Sequence, residues 1–262
     1  MSSDRNLAVH LFFLSRFSMP IEGSILHQDQ AWLSRRLELL RAFTLPSLAS
    51  QTDMEFGWLL AVSRETPQTY RMQLRRIVSP LGRVIFAEDE ESLNKAFRHH
   101  SRSLNGSVIT TRLDTDDAVS RTFVQCIKEK SVPNMALNVC KGTILNTVSG
   151  HIIVRSMPSN PFISFCSSDA SQSVLSFGGH SQVHTMIPTV DVVTKDPMWM
   201  QIIHGGNLKN RSSWFGHPYS RSKMRQYFSV NYDFRFPRIP LELLQWMLYG
   251  FSQVIRKVPL VR

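Results

Sequence analysis

The strongest constraint on the fold of this chain is the alternation of strand-like and helix-like patterns through its first half. Four apolar, β-prone runs are separated by segments with helical spacing of apolar residues. The strand-like runs are 7–14, 56–63, 83–89 and 107–114, and the helical segments are 32–51, 66–80, 90–103 and 118–130. This order predicts an α/β domain with a central, mostly parallel mixed sheet flanked by helices, and ligands then bind beyond the carboxyl ends of the strands.

The second half has a different pattern, with short β-like runs between Gly, Pro, Ser and Asn residues. These runs are 136–146, 150–157, 161–168 and 189–194. They predict antiparallel additions that continue the same sheet. We therefore expect one domain over residues 1–239, followed by a separate C-terminal segment, 240–262.

Charge and cysteine content limit the functional classes. The net charge of +10 favours anionic ligands such as phosphates, but the basic residues are scattered and form no nucleic-acid-binding motif, so no nucleic-acid partner is expected. Three widely spaced cysteines argue against a disulfide framework. The short apolar run near residue 10 lacks the features of a signal peptide, and we expect a cytoplasmic protein.

The fourth strand-like run ends in a cluster of carboxylates: Asp114, Asp116 and Asp117. Three like charges at a strand end need water or a cation to neutralise them. One interpretation is a site for Mg²⁺ or Mn²⁺, since hard cations prefer oxygen ligands. The other is a helix N-cap, with Asp116 or Asp117 capping a helix that begins at Ala118.

Four separated blocks of the sequence resemble a known bacterial family. The blocks are "HLFFLSRFS", "RLELLRAFTLPSLASQTDMEFGWLLAVSRETP", "NPFIS" and "PMWMQIIHGGNLKNR", and the acidic motif "TTRLDTDDAVSRTFV" resembles the same family. The chain resembles the rhamnosyltransferase-like family, a relative of glycosyltransferases with the GT-A fold. The resemblance implies a GT-A-like nucleotide-binding fold and transfer of a sugar, with rhamnose as one candidate, from a nucleotide-diphosphate donor to a polysaccharide or lipid-linked acceptor.

The resemblance also implies a divalent cofactor, Mn²⁺ or Mg²⁺, held by the acidic motif. We expect Asp114 and Asp116 to contact the ion and the donor ribose, with Asp116 the more direct ligand. In related folds a later histidine completes the metal site, and His204 in "IIHGGN" is the candidate here. A turn histidine is the alternative interpretation. Imidazole would favour Mn²⁺ over Mg²⁺.

Three further residues are candidates for donor contacts. Arg16 follows the first strand and would contact the phosphates or base, unless it is a surface arginine lying over Phe17. Arg112 either pairs with an acidic neighbour or contacts the donor. Asn207 would orient His204 or contact the substrate.

The general base of an inverting transfer must be a carboxylate near the acceptor hydroxyl. Asp169, Asp191 and Asp196 all follow the acidic motif in the sequence, and we take Asp169 and Asp196 as the catalytic candidates. Each of the three is equally compatible with a turn or cap position.

The C-terminal segment 240–262 combines an apolar stripe with basic residues. It predicts an amphipathic helix that either docks on the domain's own core or holds the protein peripherally at the inner face of the membrane. The sequence thus leaves two main functional hypotheses, a metal-dependent glycosyltransferase and a catalytically silent relative that binds sugar or nucleotide.

Overall fold

A computed structural model describes residues 8–205 and 216–232 of the chain. The strands are β1 Val9–Ser18, β2 Phe56–Val62, β3 Arg83–Phe86, β4 Ser107–Arg112, β5 Ala118–Val119, β6 Met135–Val139, β7 Lys141–Asn146, β8 Ile152–Ser156, β9 Ser164–Ser167, β10 Thr189–Val192, β11 Trp199–Ile203 and β12 His217–Pro218. The α-helices are α1 Gln30–Leu39, α2 Leu45–Ala49, α3 Gln68–Val78, α4 Glu90–Ser101, α5 Phe123–Lys130, α6 His180–Met186 and α7 Arg221–Tyr227. A π-helical turn, Leu40–Thr44, joins α1 to α2, and a 3₁₀ turn spans Val174–Phe177.

The strands form two sheets. The first has seven strands in the order β10-β6-β9-β4-β1-β2-β3, and only β9 runs antiparallel to its neighbours. The second has five strands in the order β12-β8-β7-β11-β5, and β7 and β11 are parallel. The predicted α/β class, with a mostly parallel mixed sheet and antiparallel additions in the second half, is confirmed.

The prediction of one continuous sheet was wrong. The run 136–146 breaks at Cys140, so that β6 belongs to the first sheet and β7 to the second. In addition, β10 pairs with β6 in parallel and not antiparallel. These differences reflect long-range pairing, which short apolar runs do not encode.

The junction between the sheets is built around Trp199. Its indole stacks on Phe162 with ring centroids 5.2 Å apart, and its Nε1 donates to Val139 O at 2.7 Å. Gly142 allows the close approach, since a Cβ there would lie 2.0 Å from the Trp199 ring. Nearby, the buried Asn160 donates to Val139 O at 2.9 Å. Two of the sequence blocks, "NPFIS" and "PMWMQII", thus supply contacts that join the two sheets.

Proline explains the irregular helix after β1. Pro46 has no N–H to donate to the carbonyl of Ala42, and the chain passes through the π-helical turn at this point. The backbone N–H of Asn231 donates to Ala42 O at 2.7 Å instead. The bond fixes the segment after α7 against this helix, so the irregularity serves the packing of the second half.

The apolar core lies on both faces of the first sheet. Its largest cluster includes Phe13, Leu33, Trp58 and Phe123, all nearly inaccessible to solvent. Within the described residues, no helix combines the length and apolar character needed to cross a membrane. The expected helix in 240–262 lies outside the described residues.

Candidate active site

The acidic segment connects the two sheets. After β4 ends, the N–H of Leu113 still donates to Leu14 O of β1 at 3.2 Å, and the chain then turns, with Asp117 N–H donating to Asp114 O at 3.2 Å. It continues as β5, which pairs antiparallel with β11. The carboxylates therefore lie where the carboxyl end of the first sheet meets the second sheet.

The predicted start of the next helix, at Ala118, was wrong. Ala118 and Val119 are in β5, and the helix α5 begins only at Phe123, preceded by Thr122. Consequently neither Asp116 nor Asp117 caps a helix, and that interpretation of the acidic cluster is excluded. Ala118 and Val119 form a strand because they pair with β11, and this pairing is visible only in the folded chain.

Asp116 and His204 form a close pair. His204 follows β11 directly, and its Nε2 lies 3.0 Å from Asp116 Oδ2. Both side chains are largely buried, 7% exposed for His204 and 13% for Asp116. Burial by itself raises the pKa of Asp116, but the His204 hydrogen bond and the Arg36 charge together bring that pKa below its usual value. The pair is thus a pre-formed nitrogen and oxygen donor set with an ionised carboxylate.

Asp117 holds neighbouring segments in place through both its side chain and its backbone. Its Oδ1 accepts a hydrogen bond from Ile202 N–H of β11 at 2.8 Å, and its carbonyl accepts one from Thr44 Oγ1 at 2.8 Å. Burial, and then the charges of Asp116 and Asp114, raise the pKa of Asp117 well above its usual value. The carboxyl group therefore fixes β11 beside the acidic segment.

Asp114 lies in a network of charged groups at the ends of β1 and β4. Arg16 Nη2 lies 3.5 Å from Asp114 Oδ1, and its Nη1 lies 2.8 Å from Glu90 Oε1. Arg112 donates to the same Glu90 oxygen at 3.0 Å and to Gly178 O at 2.7 Å. Burial and the Arg16 charge lower the pKa of Arg112, against the opposing effects of Glu90 and Asp114. Arg16, Arg112 and Asp114, together with His180, line a small cavity of about 40 Å³.

Sequence reasoning missed Glu90, which joins these two arginines. It is the first residue of α4, four residues after the end of β3. The carboxyl ends of parallel strands share one edge, so its position after a strand was a usable signal. The proposed acidic partner of Arg112 was expected nearby in sequence, but the structure supplies it from α4.

Sequence reasoning also missed Arg36. Its Nη2 donates to Thr115 Oγ1 at 2.6 Å and to Arg16 O at 2.9 Å. Its guanidinium also lies 4.8 Å from the centroid of the Trp32 ring. Arg36 therefore places a positive charge beside the acidic segment and fixes the residue between Asp114 and Asp116.

The structure does not bring the two catalytic candidates to this site. Asp169 follows β9, whose end pairs with the beginning of β4, so it lies at the edge opposite Asp114. Its Oδ1 accepts from Ser167 Oγ and Ser171 N–H in a local turn. Asp196 precedes β11, whose other end carries His204. These placements count against either residue as the general base.

Asp196 has a different partner. The hydroxyl of Tyr227 in α7 donates to it, and this bond raises the pKa of Tyr227. Burial, and then the nearby Tyr227 and Asp196, raise the pKa of Tyr219 to about 12. Asp196 thereby helps to hold the segment around α7.

Two further residues singled out in the sequence are Asp191 and Asn207. Asp191 accepts a hydrogen bond from Asn138 Nδ2 at 2.9 Å, and Asn207 lies outside the described residues.

The Asp116–His204 pair has the atom types that bind a divalent ion. Its Nε2 and Oδ2 atoms form a 3.0 Å hydrogen bond, and an ion held by both atoms would replace the shared hydrogen. Within residues 8–205 and 216–232, no group of three or more His, Cys, Asp or Glu side chains gathers around one point. The described residues would therefore supply two ligands to an ion, Asp116 and His204, with Asp114 nearby. The other coordination positions of the ion would be open to phosphate oxygens.

Comparison with solved structures finds glycosyltransferases among the similar folds. Staphylococcus aureus TarS 1–349 is 10% identical, with a TM-score of 0.41, over 74% of this chain and 60% of that one. GalNAc-T7 with UDP, GalNAc and Mn²⁺ is 11% identical, with a TM-score of 0.37, over 79% and 46%. Mouse xyloside xylosyltransferase 1 is 13% identical, with a TM-score of 0.31, over 68% and 75%. No curated protein matches the chain.

The family assignment comes from the sequence itself. The model of the family described as "Putative rhamnosyl transferase" matches residues 13–214, which is well over half of the chain. The protein belongs to this glycosyltransferase family. The family resemblance found in the sequence is thereby confirmed.

Proposed function

We propose that this protein is a divalent-metal-dependent glycosyltransferase that moves a sugar from a nucleotide-diphosphate donor to a glycan or lipid-linked acceptor. The observation that carries the proposal is the buried Asp116–His204 pair at the carboxyl edge where the two sheets meet, with 3.0 Å between its donor atoms. Membership of the family supports the transferase class, and the family's description suggests rhamnose as the sugar.

Asp116 and His204 would hold the ion, Mn²⁺ in preference to Mg²⁺ because one ligand is an imidazole nitrogen. When bound, the ion would stabilise the negative charge of the departing nucleoside diphosphate as a Lewis acid. The low pKa of Asp116 keeps its carboxylate ionised for this task. Asp117 would maintain the spacing between the acidic segment and β11, and Arg36 would limit the repulsion among the three carboxylates.

Asp114 and Arg16 would contact the donor. Their side chains are each 42% exposed, so both remain accessible to a ligand at the carboxyl edge. Arg16 can offer hydrogen bonds to phosphate oxygens, and Asp114 can accept from ribose hydroxyls. Arg112 is 9% exposed and already donates to Glu90 and Gly178. We assign it a positioning role for Glu90 and Arg16. Asn207 remains a proposed substrate contact.

A donor screen tests this function. The purified protein is incubated with thymidine-, uridine- and guanosine-diphosphate sugars, rhamnose included, and release of the nucleoside diphosphate is measured with Mn²⁺, with Mg²⁺ and with EDTA. We expect release from one donor class, faster with Mn²⁺ and absent in EDTA. Equal release in EDTA would contradict the metal-dependent mechanism.

A second candidate function is binding of sugar or nucleotide without catalysis. It is favoured by one observation, that Asp169 and Asp196 both lie away from the acidic segment. The same screen separates the two, because a binding protein would be stabilised by a nucleotide with Mn²⁺ in a thermal-shift assay and yet release nothing.

A further inference from the structure

Three arginines converge on one aromatic ring at the far edge of the first sheet. The guanidinium carbons of Arg64, Arg71 and Arg75 lie 5.0, 5.7 and 5.4 Å from the centroid of Phe86. Phe86 ends β3, Arg64 follows β2, and the other two arginines belong to α3. We call these four residues the arginine cluster.

Within the part of the chain that the structure describes, no carboxylate lies within ion-pair distance of these three guanidinium groups. The acidic side chains closest in sequence are already engaged. Glu65 accepts from His27 and Gln28, and Glu88 accepts from the Ser63 hydroxyl and the Arg64 backbone N–H. The buried Nε of Arg71 also has no acceptor among the described residues. Among the described residues, the three guanidinium groups of the cluster therefore form no direct ion pair.

Such a concentration of positive charge at the surface attracts anions. Cation–π contacts contribute only about 0.5–1 kcal/mol each at exposed sites. The three charges surround one ring and repel one another over a range comparable with the Debye length, about 8 Å at physiological ionic strength. Contact with the Phe86 ring restricts the three arginine side chains, which reduces the conformational entropy that they lose when they bind a ligand.

We propose that the arginine cluster binds a phosphate or diphosphate group outside the donor site. Planar guanidinium groups match the oxygens of phosphate through paired hydrogen bonds, and several of them together suit a multiply charged anion better than a single carboxylate. The ligand would be either a free phosphorylated compound or the headgroup of a phosphorylated lipid.

The position separates this site from the metal pair. Two strands, β1 and β2, lie between β3 and β4, and neighbouring strands are about 4.8 Å apart, so β3 lies roughly 14 Å from β4. Arg16, the proposed contact for the donor phosphates, lies on β1, and only β2 separates β1 from β3, a distance of about 10 Å. That span is longer than a diphosphate group. The donor diphosphate at Asp116 therefore cannot also occupy the arginine cluster, and the inference does not depend on the proposed function.

The test uses the full chain in EDTA, so that metal-dependent binding at Asp116 does not contribute. Inorganic pyrophosphate is titrated calorimetrically into wild type, the double variant Arg71→Gln/Arg75→Gln, and the control Arg76→Gln. Arg76 is an exposed arginine on the same helix that does not lie on the Phe86 ring. We expect the double variant to bind at least about tenfold more weakly, since it loses charge-assisted hydrogen bonds, and the control to stay within about twofold.

A second arm identifies the source of the phosphate. Co-sedimentation is measured with vesicles of equal parts phosphatidic acid and phosphatidylcholine. Pyrophosphate binding alone indicates a free ligand, while vesicle binding that the double variant loses and Arg76→Gln keeps indicates a lipid headgroup. Thermal unfolding of each variant confirms that it is folded, and Phe86→Leu, which keeps an apolar side chain, should also weaken binding.

Two results would overturn the proposal: wild type that binds neither probe, or a loss in Arg76→Gln equal to that of the double variant. Asp116→Asn should bind pyrophosphate in EDTA as wild type does. Failure of the glycosyltransferase proposal would therefore be distinguishable from failure of this one.

Discussion

The backbone N–H of Ile202 donates a 2.8 Å hydrogen bond to Asp117 Oδ1. Ile202 lies two residues before His204 on β11, and Asp117 directly follows Asp116, so this one bond aligns the two proposed metal ligands. Asp117 is only 3% exposed, and this burial is the main cause of its raised pKa.

Asp117→Asn should stabilise the protein near neutral pH. Because folding raises the pKa of Asp117 well above its usual value, its contribution to stability is complete only below the unfolded pKa, about 3.9, and is lost as the pH rises toward the folded pKa. Asparagine keeps the acceptor for Ile202 and does not titrate. The unfolding free energy of the variant, measured with urea in EDTA, should exceed that of wild type at neutral pH, and the difference should vanish in acid.

The matched variant Asp117→Ala removes the acceptor as well. It should destabilise by about 1–3 kcal/mol, because the buried hydrogen bond between Ile202 N–H and Asp117 is lost. Asparagine and alanine variants that are equally destabilised at neutral pH would contradict the role of Asp117 as the buried hydrogen-bond acceptor of Ile202 N–H.

Glu90→Gln should lower the unfolding free energy by about 1–2 kcal/mol, because Arg112 is buried and loses a charge-assisted hydrogen bond; Glu90 is partly exposed, so we place the effect below that of a fully buried pair. The control is Glu91→Gln, the next residue, whose exposed pair with Arg98 should contribute less than about 0.5 kcal/mol. Chemical denaturation measures the unfolding free energy of both variants. Equal effects would contradict the role of Glu90 as the residue that joins Arg16 and Arg112.

His204→Ala should weaken Mn²⁺ binding by at least about tenfold, because the ion loses one of its two described protein ligands. Wild-type affinity should also fall as the pH is lowered, since protons compete with the ion for the imidazole nitrogen. Mn²⁺ binding is followed by electron paramagnetic resonance of the free ion. His99→Ala, at an exposed histidine of α4, is the control, and a variant His204→Ala that binds Mn²⁺ like this control would exclude the ligand role.

Local patterns predicted the first half of the fold well. The runs at Val9–Ser18, Phe56–Val62, Arg83–Phe86 and Ser107–Arg112 are strands because their apolar residues are buried between helices. This periodicity is present in the sequence itself, and it placed the acidic segment correctly beyond the end of β4. The position of His204 near Asp116 came from the family resemblance, and the 3.0 Å contact is compatible with it.

The remaining features depend on long-range contacts. "AV" at 118–119 is short and apolar, and only its pairing with β11 makes it a strand. Arg36 and Glu90 look like ordinary surface residues until the chain folds back on them. Asp169 and Asp196 illustrate the converse, since sequence order after a metal motif does not show which edge of a sheet a residue reaches.

The central claim is that Asp116 holds a divalent ion needed for the donor, and Asp116→Asn tests it most directly. Calorimetry measures binding of uridine, thymidine and guanosine diphosphates to wild type, to this variant and to the exposed control Glu91→Gln, each with Mn²⁺ and with EDTA. Wild type and the control should bind one nucleotide only with Mn²⁺, and Asp116→Asn should lose that binding while its thermal unfolding stays cooperative. Mn²⁺-dependent nucleotide binding that survives in Asp116→Asn would contradict the account.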